Sequence, residues 1–331
     1  MAVYTEVSTD EVRALLRQLQ LGELRQMQGC AGGIENTNYF VSAEIEGRQR
    51  DYVLTLFERL NFAQLPFYLR LMKHLAQRGI PVPDPSANAQ GELVFALKGK
   101  PAAMVSRLRG RSQLTPGSAH CAAVGGTLAR MHLAGADFPL SQPHLRGLAW
   151  WIETVPVVLP YLDARQAALI QGELDYQARA AASAAHATLP GGPIHADLFR
   201  DNVMFEESAG QLQLSGFFDF YFAGVDSWLF DIAVCMNDWC IELETGAHDP
   251  ERALSFVRAY AAVRALTDAE QELLPAMLRA AALRFWISRL WDYHQPRAAS
   301  LLKAHDPGHF ERVLQQRIDH PVLMSALRPR P

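Results

Sequence analysis

Lysine is scarce in this chain. Only four of its 331 residues are lysine, at positions 73, 98, 100 and 303. No basic run occurs, and the formal net charge is −4; together these argue against a nucleic-acid surface and against a polybasic membrane anchor. No apolar run approaches the roughly 20 residues of a membrane span. The N-terminus is acidic and amphipathic and lacks a signal-peptide core, so a cytoplasmic protein is expected. Cysteine is also sparse. Cys30, Cys121, Cys235 and Cys240 form no C-x-x-C pair, and Cys235 and Cys240 lie in an apolar helical stretch, so buried free thiols are expected rather than zinc ligands or disulfides. Three nucleotide- and hydrolase-type signatures are missing as well. There is no G-x-x-x-x-G-K-[ST], since Gly99-Lys100-Pro101 lacks both the upstream glycine and the Ser/Thr, and there is no G-x-S-x-G or H-E-x-x-H.

What remains is an ordinary globular composition, 49% apolar and 20% charged, in a chain long enough for two lobes around one cleft. Ser8 and Glu11 have capping-box spacing at the start of a helix that Gly22 can end. Asn38–Ile45 and Asp51–Phe57 read as strands. Between strands lies the glycine-rich Gly29–Asn38. Glycines there either permit a hairpin or let the backbone fold over phosphates, with Gly32, Gly33, Asn36 and Asn38 as the candidate contacts. Gln64 to Gly79 reads as a helix with Pro66 in its first turn, and Pro81–Pro85 as an extended link. Glu92–Ala96 and Pro101–Ser106 read as strands. Ser106–Gly110 is expected as the hinge, where the backbone at Ser106 and Leu108 would read an adenine edge; a plain linker predicts the same residues. Helices are expected at Ser118–Ala134, Leu148–Leu162, Ala164–Thr188, Trp228–Ile241, 251–264 and 268–294. His132 reads as a buried structural histidine rather than a ligand. Strands gathered early and helices late make the fold class α+β.

The stretch His195-Ala196-Asp197-Leu198-Phe199-Arg200-Asp201-Asn202 organises the rest. With Asp219 downstream it forms H-x-D-x-x-x-x-N followed by Asp-Phe, the arrangement of kinase-type phosphoryl transfer. That chemistry asks for an acidic group at the attacking hydroxyl and oxygen ligands for Mg²⁺ on the phosphates. Asp197 fits the first role, beside His195. Asn202 and Asp219 fit the second, because Mg²⁺ takes few, hard, oxygen ligands. The alternative is a structural histidine, a turn aspartate and a capping asparagine. Asp231 lies in an apolar helix and needs a partner; it is either an N-terminal helix charge or a brace on the loop that carries Asp197. Asp238, Arg284 and Arg289 mark a candidate acceptor pocket. On the helix that carries the arginines, Arg284 shares a face with Ser288 and Trp291, and Arg289 with Phe285 and Asp292. Arg suits a carboxylate, bidentate, and Asp an ammonium, while intrahelical pairing of the Arg and Asp is the competing reading.

Protein kinases hold the α- and β-phosphates with a strand lysine paired to a helix glutamate. Here Thr55 stands at the strand position and the helix of residues 64–79 has no acidic residue. Lys100 and Arg59 are conceivable substitutes.

These residues resemble the aminoglycoside-phosphotransferase/choline-kinase-like superfamily and, within it, the homoserine kinases built on that fold. The resemblance covers nearly the whole chain. It is carried by Gly33–Phe40, Val53–Glu58, Leu65–Tyr68, His195–Val203, Asp219–Ala223 and Ala282–Phe285. It implies a two-lobed protein-kinase-like fold, with a small antiparallel-sheet N-lobe covering the nucleotide over residues 1–106. A mainly helical C-lobe over 107–331 would carry the catalytic loop, metal site and acceptor pocket. It also implies ATP and Mg²⁺, and transfer of the γ-phosphate to the hydroxyl of L-homoserine in threonine biosynthesis. Asp197 would be the base, Asn202 and Asp219 the metal ligands, and Asp231 the brace. Thr55 departs from the superfamily's basic strand residue and agrees with the homoserine-kinase branch. Two alternatives stay open: the same fold acting on choline, a sugar amine or an aminoglycoside, and a non-catalytic nucleotide-binding module.

Overall fold

A computed structural model of the chain describes residues 4–30, 36–208, 210–295 and 305–324. It divides into two compact units, residues 1–109 with 215–218, and 110–214 with 219–331.

In the first unit, Ser8 caps α1 (Thr9–Gln18) and its capping box with Glu11 is present. The helix stops before Gly22, because Gln20 already turns into the left-handed region at φ 56°. Gly22 serves a close approach instead: a Cβ there would sit 2.2 Å from the Glu44 carbonyl oxygen. The chain continues through β1 (Glu23–Gly29), β2 (Asn36–Ile45), β3 (Arg48–Phe57), α2 (Leu65–Gln77), β4 (Phe95–Leu97) and β5 (Lys100–Ser106). The sheet runs in the order β1-β2-β3-β5-β4, antiparallel throughout. Alternation along the strands puts Tyr39, Val41, Leu54, Leu56, Ala102 and Met104 in one buried layer with Val12, Leu15 and Leu16 of α1. The strand expected from Glu92 begins only at Phe95. Asn88 takes the preceding residues into a local turn, accepting from the Glu92 N–H at 2.9 Å and donating to the Glu92 carboxylate at 2.7 Å.

The second unit contains β6 (Arg111–Ser112), α3 (Ser118–Gly135), α4 (Leu148–Val158), α5 (Ala164–Ala181), α6 (Ala184–Ala187), β7 (Gly191–Ile194) and β8 (Val203–Ser208). They are followed by β9 (Gln211–Phe217), whose last residues belong to the first unit, and by β10 (Gly224–Ser227), α7 (Trp228–Trp239), α8 (Pro250–Val263), α9 (Asp268–His294) and α10 (Gly308–Asp319). β7 pairs antiparallel with β10, and β6, β8 and β9 form a second small sheet. The single helix expected over 164–188 is broken, because Ser183 accepts from the His186 N–H and starts a new turn. α9 continues through Pro275. α10 was not anticipated, although Phe310, Val313, Leu314 and Arg317, all buried, have helical spacing. Every residue of α7 is buried, which makes this helix the axis of the unit. Cys121, Cys235 and Cys240 are buried and Cys30 is half-buried, all of them free thiols. Among the described residues no helix is long and apolar enough to cross a membrane.

α3 and α8 cross closely at Gly125, where a Cβ would meet the Phe256 carbonyl oxygen at 2.3 Å. Backbone cannot yield as a side chain does, so Gly125→Ala is expected to cost about 1–3 kcal/mol. Gly172, exposed in α5 with nothing within 4 Å of its Cβ position, is expected to gain about 0.5–1 kcal/mol as Gly172→Ala. Urea midpoints of the two variants should therefore move in opposite directions. An unchanged midpoint for Gly125→Ala would show that the helices part without strain.

Candidate active site

β7 delivers the chain to His195, and the loop that follows is held by α7 at three places. Asp231, in the first turn of α7, accepts the His195 N–H at 2.8 Å on Oδ2 and the Ala196 N–H at 2.9 Å on Oδ1. These bonds hold Ala196 in the left-handed region, φ 64°. Asp238, two turns further along α7, accepts the Arg200 N–H at 2.7 Å and the Arg200 Nε–H at 3.1 Å. Between them Trp239 donates its indole N–H to the Leu198 carbonyl at 2.9 Å. A helix repeats about every 3.6 residues, so the seven-residue spacing of Asp231 and Asp238 puts both on one face. The loop residues 195 and 200 meet that face in the same order.

Asp231 is fully buried. Burial alone would raise its pKa, but bonds from His132 and from the loop backbone outweigh it, and the carboxyl is held below its ordinary value. His132, also fully buried and stacked on Trp228, has its pKa lowered by desolvation and stays neutral. A carboxylate only accepts, so the His132 Nε2 carries the proton to Asp231 at 3.1 Å, and Nδ1 accepts from the Tyr260 hydroxyl at 2.7 Å. His132 is thus structural, as expected.

The loop presents Asp197. Its backbone N–H donates to His195 Nδ1 at 3.3 Å, and His195 is itself buried against Phe220. Asn202 donates its amide to the Asp197 carbonyl at 2.8 Å and reaches the Asp197 carboxylate at 3.4 Å. Asp219 follows β9 in the left-handed region, φ 66°, and is one of the charges acting on Asp197. Desolvation pushes Asp197 up to about 7; Arg284 pulls it down and Asp219 adds to the rise.

The acceptor-pocket candidates separate. Asp238 is committed to Arg200, whose Nη1 also donates to the Leu114 carbonyl at 2.9 Å; its carboxylate holds the loop and is not left for an ammonium. Arg284 and Arg289 of α9 both lie within electrostatic range of Asp197, the carboxylate that acts most strongly on each of them. Neither forms an ion pair with a described carboxylate, so the intrahelical pairing considered for them does not form.

The nucleotide candidates belong to the first unit. Gly32 and Gly33 lie outside the described residues. Asn36 opens β2 opposite Phe57. Asn38 accepts the Thr55 hydroxyl at 2.7 Å. Ser106 ends β5, its hydroxyl accepting from the Asp84 N–H at 2.8 Å, and half-buried Leu108 follows two residues on. Lys100 is not a neighbour of Thr55. Register places it on the opposite face of the sheet, with Ala102 and Met104, where it pairs with Glu58 and bonds Thr5 at 2.8 Å.

Sequence reasoning missed Arg200 and Trp239 as loop anchors. The available signal was the Asp231/Asp238 spacing in an otherwise apolar helix, since a second buried carboxylate needs a second partner.

A family model described as "Phosphotransferase enzyme family" matches residues 26–269. Homoserine kinase of Polaromonas naphthalenivorans (strain CJ2) is 63% identical over 324 residues, covering 98% of this chain and 100% of that protein. Homoserine kinase of Cupriavidus taiwanensis is 59% identical over 96% of each. Among solved structures, amicoumacin kinase hAmiN in complex with AMP-PNP, Ca²⁺ and Ami superposes with TM-score 0.65 at 19% identity over 95% of this chain and 97% of that one. Choline kinase from Cryptosporidium parvum Iowa II gives 0.67 at 15% identity over 94% and 96%. At such identities these two establish the fold, which is that of a small-molecule kinase with a sheet-bearing first unit and a helical second one. With a family model spanning most of its length and relatives above half identity from end to end, the chain belongs to the phosphotransferase enzyme family, in its homoserine kinase branch.

Proposed function

We propose that this chain transfers the γ-phosphate of ATP to the hydroxyl of L-homoserine, with Asp197 at the reacting hydroxyl. The observation that carries the reading is the clamped loop: an aspartate on a loop held by α7, bonded by the Asn202 amide and within electrostatic range of a second carboxylate, in a chain 63% identical to a homoserine kinase.

Asp197 orients the acceptor hydroxyl and takes its proton late, because the transition state is loose and the oxygen carries little charge until the bond has formed. Desolvation makes this carboxylate a stronger base than one in water, which suits that role. Arg284 and Arg289 keep its charged form from being lost altogether. His195 positions the loop: its ring accepts from the Asp197 N–H, and its own N–H is held by Asp231.

The residues present fit a magnesium ion. Asn202 has its nitrogen committed to Asp197, so what it offers a cation is its oxygen. Asp219 supplies a carboxylate. Two hard oxygen donors, with no cluster of three or more His, Cys, Asp or Glu side chains among the described residues, match an ion held mostly by phosphate and water. When bound it would neutralise phosphate charge. In the first unit, the glycine-rich segment with Gly32 and Gly33, the amides of Asn36 and Asn38, and the backbone at Ser106 and Leu108 are assigned to the nucleotide. The Thr55 hydroxyl occupies the oxygen of Asn38 and leaves its nitrogen to donate. No strand lysine is required on this reading, since the ion and neutral donors share the phosphate charge. ATP and L-homoserine are both metabolites of the cell interior, which supports a cytoplasmic location.

ADP release from Mg-ATP should be stimulated by L-homoserine and not by L-serine, choline, ethanolamine or kanamycin. Stimulation by choline or kanamycin would overturn the acceptor, and no turnover with any acceptor would overturn the activity. Asp197→Ala should lower kcat by roughly 10²–10⁴-fold with ATP affinity retained; normal turnover would remove Asp197 from the mechanism. Asp219→Ala should abolish the dependence of ATP affinity on Mg²⁺, measured by calorimetry with and without the ion. Unchanged affinity and metal dependence would reassign the ligand.

A further inference from the structure

Arg284 presents an unusual problem in physical chemistry. Its side chain sits inside the second unit with 2% of its surface exposed, lying over the rings of Phe285 at 3.7 Å and Phe222 at 5.2 Å. The rings cover its faces, which compensates part of the desolvation. Its edge is not compensated. Nε and Nη2 are both buried and neither has a hydrogen-bond partner. Those two nitrogens form one side of the guanidinium fork, with parallel N–H bonds, the pair that meets the two oxygens of a carboxylate. A buried charge left unpaired in this way is strongly unfavourable, and so is each unsatisfied donor. The charged groups around it are Asp197, Asp292, Arg146 and Arg289, so two further cations share the local anions, and burial together with these neighbours draws its pKa down to about 10. Arg284 thus stands within electrostatic range of the aspartate assigned to the acceptor hydroxyl.

We infer that the Nε–Nη2 edge of Arg284 receives the α-carboxylate of the acceptor, and so selects an amino acid over the corresponding amino alcohol. The inference rests on the proposed function and deepens it. The donor edge is shielded from bulk water, so the acceptor displaces the side chains packed over it, and binding couples to a local rearrangement. Phosphate is the other anion that a guanidinium edge accepts, but Asn202 and Asp219 already give the phosphate charge a place through the cation. Arg289 also lacks an ion pair with a described carboxylate, and Arg284 is singled out because its Nε and Nη2 are buried with no hydrogen-bond partner.

The test compares L-homoserine with L-homoserinol, which keeps the amine and the reacting hydroxyl and replaces the carboxylate by CH₂OH. It uses the intact protein and the variants Arg284→Gln, Arg284→Lys and Arg284→Met. The intact protein should prefer L-homoserine in kcat/KM by at least roughly 10²-fold, the size of a charge-assisted bidentate pair. In Arg284→Gln and Arg284→Lys the preference should fall to within several-fold, through KM for L-homoserine, with KM for ATP unchanged. Arg284→Met should keep or raise the melting temperature of the ligand-free protein, because it removes an unpartnered buried charge, and L-homoserine should no longer raise it further. Discrimination surviving in the variants, or absent from the intact protein, would overturn the assignment. So would a rise in KM for ATP instead of the acceptor, which would give the arginine to phosphate, or a large loss of stability in all three variants, which would make it structural. Failure of the intact protein to phosphorylate L-homoserine at all is a separate result; it refutes the proposed function and takes this assignment with it.

Discussion

The carboxylate of Asp231 is the constraint on which the rest of the second unit depends. It sits in the first turn of a helix buried on all sides, takes two backbone N–H groups from the loop and a third bond from His132, and has no contact with water. A charge in such a place is tolerable only because every lone pair that matters is used. That requirement runs outward in both directions. Toward the surface it recruits His132, then Tyr260, then Arg264 with Glu270. Toward the loop it holds the left-handed turn at Ala196, the residue before Asp197. The Asp238–Arg200 pair repeats the device two turns along, so the loop is gripped at both ends and its centre cannot relax.

Electrostatics in this unit is organised by exclusion of water rather than by exposed ion pairs. The same desolvation that would ruin an unpartnered carboxylate makes Asp197 a better base, and the same burial that penalises Arg284 primes it to pay back strongly with an anion. Sites of this kind are locally less stable than a fully satisfied core would be. Here the cost is spread over a scaffold of apolar helices, with α7 wholly buried and α9 mostly so, that can carry it.

In the first unit, threonine stands at the strand position where protein kinases carry a lysine. Thr55 occupies the strand position and bonds Asn38 across the β2–β3 ladder, so two neutral side chains satisfy each other where an ion pair would otherwise stand. Lys100 and Glu58 do form an ion pair, but alternation along β5 sends it to the opposite face, against Thr5 and Thr37 near the start of α1. A one-residue difference in parity separates a residue that could face the Thr55 side of the sheet from one that fastens the chain's N-terminal segment.

Much of this was legible beforehand. The spacing from His195 to Asn202 and on to Asp219 matched a kinase-type pattern in the sequence, and the structure puts Asp197 and Asn202 in contact, with Asp219 among the charges acting on Asp197. The Ser8 capping box, the strands of the first unit and most helices followed from local periodicity and from residues that act on their own backbone. What required the tertiary structure was every partnership between residues distant in sequence. Asp238 read as a pocket residue because nothing local tells a buried carboxylate aimed at ligand from one aimed at Arg200, 38 positions away. α10 was missed because its pattern is short and means little until α9 is present to cover it. The unpartnered edge of Arg284 is a property of the space around it. Sequence determined which groups exist and at what intervals, through interactions reaching a few residues; the fold alone decided which of them meet and which are left open, because those choices are settled by packing and desolvation across the whole molecule.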